Sequence, residues 1–186
     1  MKKIILILLA IFIGGSMALE PKKLVIYFSR ADENYGVGNI QKGNTEIVAE
    51  IIAEKVGAKL LKVEPVKEYP QEYDACTAVA KKELEADARP EVKHSSINPE
   101  EFDEIYVGYP VWWGEMPMPM FTFLEKFNLK GKTVYPFVTH EGSGLSGVRR
   151  LEKATGANVK PGLAVYGHEA QNEKASVEKK VERWLK

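Results

Sequence analysis

Five short apolar runs, at residues 24–28, 59–63, 104–109, 133–139 and 163–166, alternate with segments whose apolar side chains recur at helical spacing, at 46–56, 72–88, 119–127, 144–154 and 174–185. Strands alternating with helices at this spacing imply an α/β fold, a parallel sheet with helices on both faces. The handedness of crossover connections then leaves few topologies. The longest connection, between the second and third runs, is where surplus sequence collects, and an extra lobe or lid is expected there. No internal repeat and no low-complexity tail interrupts the pattern.

A chain of 186 residues fits one domain. Its first residues need not belong to it. Lys2 and Lys3 precede a wholly apolar stretch, residues 4–13, and then Gly14-Gly15-Ser16-Met17-Ala18. This reads as a secretory signal cut after Ala18, so that the expected domain is 22–186 and the expected location periplasmic or extracellular. The rival is an uncleaved membrane anchor, but the apolar stretch falls short of the roughly 20 residues that span a bilayer. No membrane-spanning domain is expected once the signal is removed. Cys76 is the only cysteine, so the domain contains no internal disulfide; with no histidine near it in sequence, it reads as a packed small residue. With 26 basic and 26 acidic side chains dispersed along the chain, nucleic acid has no electrostatic case as a partner.

Three of the strand-like runs end in residues suited to a ligand, and parallel neighbours would bring those ends to one edge of the sheet. After the first, Ser29 and Arg30 lead through a long loop to Gly43-Asn44-Thr45. Ser29 and Thr45 hydroxyls and the free N–H groups of a helix start suit a phosphate, while Asn44 and Thr45 equally suit an ordinary helix cap. After the third comes Pro110-Val111-Trp112-Trp113-Gly114. Two adjacent indoles divide naturally between packing and an exposed platform for a planar ring. After the fourth, Thr139-His140-Glu141-Gly142-Ser143-Gly144 offers backbone donors to a heterocycle. A phosphate-bearing aromatic cofactor would use all three loops.

Other chemistries fit poorly. The first loop is neither a Walker A sequence nor Gly-x-Gly-x-x-Gly, and Gly142-Ser143-Gly144 is not a nucleophile elbow. His94, His140 and His168 are widely separated and have no cysteine cluster, which argues against a metal.

The segment Gly108-Tyr109-Pro110-Val111-Trp112-Trp113-Gly114, followed by Pro117-Met118-Pro119, resembles a branch of the flavodoxin-like proteins, as do Tyr27-Phe28-Ser29 with Gly43-Asn44-Thr45 and the loop at 139–144. The resemblance covers residues 23–186. It implies a three-layer sandwich, a five-stranded parallel sheet in order 2-1-3-4-5, and FMN held noncovalently at the carboxyl edge. Ser29, Gly43, Asn44 and Thr45 then match phosphate-binding positions, and residues 110–114 and 139–144 the two ring-contacting loops. The chain departs from a compact phosphate loop by inserting residues 32–41, which brings Tyr35 within reach of the ribityl chain or ring. Glu115, if turned toward the ring, would oppose an anionic reduced flavin.

The implied activity is electron transfer through the flavin, toward a redox protein or, for an FMN-dependent reductase, toward a small-molecule acceptor such as a quinone. A binding module without flavin is the third reading. A homodimer is left open, because flavin sites in enzymes of this broad fold often lie at a subunit boundary.

Overall fold

The computed structural model describes residues 20–186, so the expected signal, residues 1–18, lies outside the described residues. The chain runs β1 (Lys23–Tyr27), a hairpin of β2 (Asp32–Asn34) and β3 (Gly38–Ile40), α1 (Asn44–Val56), β4 (Lys59–Lys62), α2 (Tyr73–Glu85), β5 (Glu104–Pro110), α3 (Met118–Leu124), β6 (Thr133–His140), α4 (Val148–Thr155), β7 (Asn158–Val159), β8 (Leu163–Tyr166), α5 (Gly167–Asn172) and α6 (Lys174–Trp184).

The central sheet is parallel in the order β4-β1-β5-β6, and β7 and β8 share its fifth position by pairing with different stretches of β6. This is the expected order 2-1-3-4-5. The fifth strand was expected at 163–166 alone. Its split falls beside Pro136: Val134 pairs with Val159 and Phe137 with Leu163, and between them the last bond is the Lys160 N–H to the Val134 carbonyl at 2.8 Å. Neither Pro136 nor Pro161 has an N–H to give a ladder, so the pairing breaks where both lie.

Strand residues alternate between two cores. Leu24, Ile26, Phe28, Ile105, Val107 and Tyr109 face α3 and Leu151 of α4, while Val25, Tyr27, Tyr106 and Phe137 face Val48 and Ile52 of α1 and Val177 and Val181 of α6. Burial on both faces explains why these strands read as continuous apolar runs. On the second face the Phe137 ring lies across its neighbour Gly108, where an added Cβ would lie 2.0 Å from Phe137 Cζ. Only glycine lets that ring cross the strand.

Three segments add to or depart from the sequence reading. Within the 32–41 insertion, whose path the sequence left open, residues 32–40 form an antiparallel hairpin with Asp32 paired to Ile40. The connection from β4 to β5 makes no separate lobe. It contributes α2, a bridge between Pro65 and Val92, and a short 3-10 turn at Pro99–Glu101. The third departure is α5, which had no counterpart in the sequence reading. It is too short to show a helical period, and it packs so closely on α1 that a Cβ at Gly167 would meet Asn44 Nδ2 at 2.3 Å. Among the described residues no helix is long and apolar enough to cross a membrane.

Candidate functional site

The sheet order reverses at β1: its neighbour on one side is β4, on the other β5. The chain leaving β1 returns through α1 on one face, and the chain leaving β4 returns through α2 beside α3 on the other. Their loops diverge above the carboxyl ends of β1, β5 and β6, and such a divergence leaves a crevice. A cavity of about 490 Å³ occupies it, within the range usual for small-molecule sites.

Of the residues expected at a site, Arg30, Tyr35, Asn44, Pro110, Val111, Trp112, Trp113, Thr139, His140, Glu141 and Ser143 line this cavity. Ser29, Gly43, Thr45, Gly114, Gly142 and Gly144 do not line it. They stand behind the lining and set the paths of the loops. Asn34 and five residues of α2 (Tyr73, Asp74, Cys76, Thr77 and Ala80) also line the cavity and were missed. The spacing of Tyr73 with Thr77 and of Cys76 with Ala80 placed each pair on one helix face, but periodicity does not say whether such a face meets a core or a cavity.

At the first loop α1 begins at Asn44, two residues before the expected start, with Gly43 as its cap residue. Gly43 is packed so closely that a Cβ would lie 2.2 Å from Ser29 Oγ and 2.5 Å from the Arg30 carbonyl oxygen. Ser29 Oγ accepts the Glu46 N–H at 3.0 Å, which leaves the hydroxyl's own proton to donate. The amides of Gly43, Asn44 and Thr45 have no hydrogen-bond partner among the described residues, as expected of a helix N-terminus awaiting an anion. The Thr45 hydroxyl, expected to serve a phosphate or a helix cap, points into the protein. It is buried against Thr139, with their oxygens 2.7 Å apart. One hydroxyl donates to the other, and one proton of the pair is left over.

The hairpin is tied down across the cavity. Arg30 donates to the carbonyls of Glu33 at 2.6 Å, Pro70 at 2.7 Å and Gln71. The Glu33 carboxylate accepts the Tyr73 N–H at 2.8 Å. Arg30 Nε is buried and unpartnered among the described residues. At the tip Tyr35 is 64% exposed, its ring centroid 5.9 Å from that of Tyr73.

The two tryptophans separate. Trp112 is half-buried, edge-on to Phe28 at 5.3 Å and to Tyr69 at 5.0 Å. Trp113 is 54% exposed. Trp112 and Glu115 exchange both backbone hydrogen bonds around a two-residue turn in which Trp113 and Gly114 have φ of +52° and +77°. Two left-handed positions in a row is the signature of a type I′ turn, and for a bulky residue such as tryptophan it is strained. The indole N–H of Trp113 donates to the Thr77 carbonyl at 2.9 Å, and the Lys81 ammonium stands 5.2 Å from the ring centroid.

In the third loop His140 Nδ1 accepts the Gly142 N–H at 2.9 Å, which puts the proton of the neutral ring on Nε2. Burial holds the His140 pKa below the usual histidine value, so the ring stays neutral near pH 7. Glu141 is turned to α5, where its two oxygens accept the His168 backbone N–H at 2.8 Å and meet His168 Nδ1 at 2.7 Å. That hydrogen bond raises the His168 pKa.

Cys76 is buried, and burial pushes its thiol up, so it lines the cavity as an unreactive small group. Glu115 is turned away from the cavity. It is absent from the cavity lining and is paired instead with Arg150, its Oε2 3.5 Å from Arg150 Nε.

The flavodoxin family model matches residues 22–185, and the chain belongs to that family. Among solved structures it is similar to a protein from Bacteroides eggerthii provisionally named a flavoprotein, with 28% identity over 89% of this chain and 96% of that one and a TM-score of 0.69. A Bacteroides uniformis protein of the same provisional name has 26% identity over 89% and 97% and a TM-score of 0.66. A Lactobacillus acidophilus flavoprotein in complex with FMN shares the fold at 22% identity over 90% and 100%, with a TM-score of 0.63. No curated protein matches the chain.

Proposed function

We propose that the cavity binds FMN noncovalently and that the protein transfers electrons through it. One observation carries this reading: Asn44, at a helix start with unpartnered amides, and the exposed, strained indole of Trp113 line the same cavity. The first suits a phosphate and the second a flat ring. Membership of the flavodoxin family supports the reading, as does an FMN complex of the same fold.

The donors present fit this cofactor. The amides of Gly43, Asn44 and Thr45 and the Ser29 hydroxyl proton would hold the phosphate, and Arg30 Nε is a further buried donor without a partner. Residues 110–113, with Thr139 and His140, would hold the ring. Bound there, FMN supplies one- and two-electron chemistry that no side chain here can perform.

The chain's own contribution is electrostatic. His140 presents a neutral N–H at Nε2, and Glu141 is balanced by His168. Glu115 is balanced by Arg150 on the other side of the loop. Of the other lining charges, Asp74 has no salt-bridge partner among the described residues and Arg30 is opposite to it in sign, so the lining adds little net negative charge where reduction would place more.

A reductive titration of FMN-loaded protein tests the function. A midpoint potential displaced from that of free FMN is expected. A flavin that stays at its free potential, or that passes through gel filtration separately from the protein, refutes it. A reductase of a small oxidant is the second reading, favoured by the hairpin, whose Asn34 and Tyr35 add to the cavity lining.

A further inference from the structure

We propose that His140 takes up a proton when the bound cofactor is reduced, and that it releases the Gly142 amide in doing so, so that the third loop changes its hydrogen bonding with redox state. The inference rests on the FMN reading and deepens it by assigning the proton that accompanies the electrons.

Position and residue type come first. His140 lines the cavity together with Pro110 and Thr139, which pair at the carboxyl ends of β5 and β6. Imidazole is the one side chain in that lining whose ordinary titration falls near neutrality. The Cys76 thiol and the Tyr73 phenol, also in the lining, are pushed further up by burial. The imidazole is held at two places, its Nδ1 by the Gly142 N–H at 2.9 Å and its ring by Tyr166, with centroids 4.5 Å apart.

The charges around this ring are mixed. Glu141 on its own loop and Glu169 on α5 favour the imidazolium, while Lys180 on α6 and His168 on α5 oppose it. Each of the first two is paired with one of the second, Glu141 with His168 and Glu169 with Lys180. In the rest of the lining Arg30 and Asp74 are opposite in sign. Burial therefore decides, and it keeps the ring neutral. Reduction brings a negative charge into the same cavity, and an opposite charge within about 4–6 Å favours the charged form of a titrating group.

Two electrons from a reductant and one proton go to the cofactor, which gains one negative charge; a second proton, from solvent, goes to His140. Nε2 already carries a hydrogen, so the second proton must enter at Nδ1. That nitrogen now accepts the Gly142 N–H, and two N–H groups cannot point at each other, so the amide turns away. The loop has room for this. Gly142 and Gly144 have φ of +128° and +66°, and a Cβ added at either would meet nothing within 4 Å. Reoxidation expels the proton and restores the bond.

The test follows His140 by NMR in FMN-saturated protein, first oxidised and then fully reduced with dithionite, after FMN loading has been measured by flavin fluorescence. Reduction should raise the proton affinity of His140 about tenfold or more, and the Gly142 amide resonance should shift with the same midpoint. Spectroelectrochemical titration reads the same proton. Between the oxidised and reduced midpoints the two-electron potential should fall more steeply with pH, by about 30 mV per pH unit for one extra proton. That extra slope should vanish in His140→Gln, which cannot take up a proton and is compared at equal FMN loading. If FMN binds but His140 titrates at the same pH in both redox states, or the slope is the same in the variant, His140 is not the acceptor and the FMN site stands. A His140 that is protonated on reduction while the Gly142 amide stays unshifted overturns the release of the loop. If FMN does not bind, the FMN reading and this one both fall.

Discussion

The hydroxyl oxygens of Thr45 and Thr139 lie 2.7 Å apart in the protein interior, 94 positions apart in sequence, and they join the first turn of α1 to the carboxyl end of β6. Two of the three loops that frame the cavity are therefore fixed to each other by a side-chain hydrogen bond. Thr139→Val leaves a buried Thr45 hydroxyl with no partner and should cost about 1–3 kcal/mol of stability. The double variant Thr45→Val/Thr139→Val leaves nothing unpaired, and its loss should be smaller than the sum of the single losses. Denaturant unfolding of the four proteins measures the coupling; strict additivity would mean that the bond contributes nothing.

Trp113 and Trp112 should respond oppositely to removal. Trp113→Gly relieves a left-handed conformation worth about 1–3 kcal/mol of strain, against one exposed hydrogen bond worth about 1 kcal/mol. Its melting temperature should be unchanged or higher while FMN affinity falls. Trp112→Ala removes the edge-on contacts with Phe28 and Tyr69 and should destabilise the fold by about 3 kcal/mol, the low end for an aromatic because the indole is only half-buried. Equal destabilisation by the two substitutions would contradict the division of roles.

Gly108→Ala places a methyl group inside the Phe137 ring, with a closest approach of 2.0 Å. Overpacking of this kind costs about 1–3 kcal/mol. Phe137→Leu in the same chain should restore part of the loss by clearing the ring atoms that the methyl meets. Thermal unfolding decides the matter, and no rescue would show that the strand, not the ring, is what cannot adjust.

The two histidines at the sheet edge should titrate on opposite sides of 6.5, His168 above it because of its hydrogen bond to Glu141 and His140 below it because of burial. Because the folded pKa of His168 is raised, its pairing contributes stability that is full below pH 6.5 and fades as pH rises through the folded value, which lies above 6.5. Glu141→Gln should return His168 to an ordinary titration and remove that part of the pH dependence. Proton NMR of the imidazole resonances reads both values directly. A His168 that titrates identically with and without the Glu141 carboxylate would show the pair to be inconsequential.

What could be read from the chain was what a run of neighbouring residues determines. Leu24 to Phe28 and Ile105 to Tyr109 announce strands buried on both faces, and their alternation with helical segments is enough for a parallel sheet with helices on both faces, while the strand order came from the family resemblance. The indoles at 112 and 113 announced a platform because two adjacent large side chains cannot both pack inward. What escaped was set by contacts distant in sequence. Tyr73, Cys76 and Thr77 became lining only because the β4–β5 connection carries α2 beside the second loop. Thr45 turned inward because Thr139 waits there, and Glu115 turned away because α4 supplies Arg150. The hairpin at 32–40 has too few residues per strand to show alternation. The break in the fifth strand has a local cause in Pro136 and Pro161, but only the pairing register reveals that they coincide.

The central claim is that the three loops hold FMN, and its most direct measurement is a fluorescence titration of FMN with purified protein, repeated with Trp113→Ala and with riboflavin in place of FMN. Saturable quenching is the predicted result, weaker in the variant because the platform is gone, and weaker for riboflavin because the amides at 43–45 then have no phosphate to meet. Folded protein that quenches neither flavin would contradict the account, and equal affinity for FMN and riboflavin would contradict the role assigned to the start of α1.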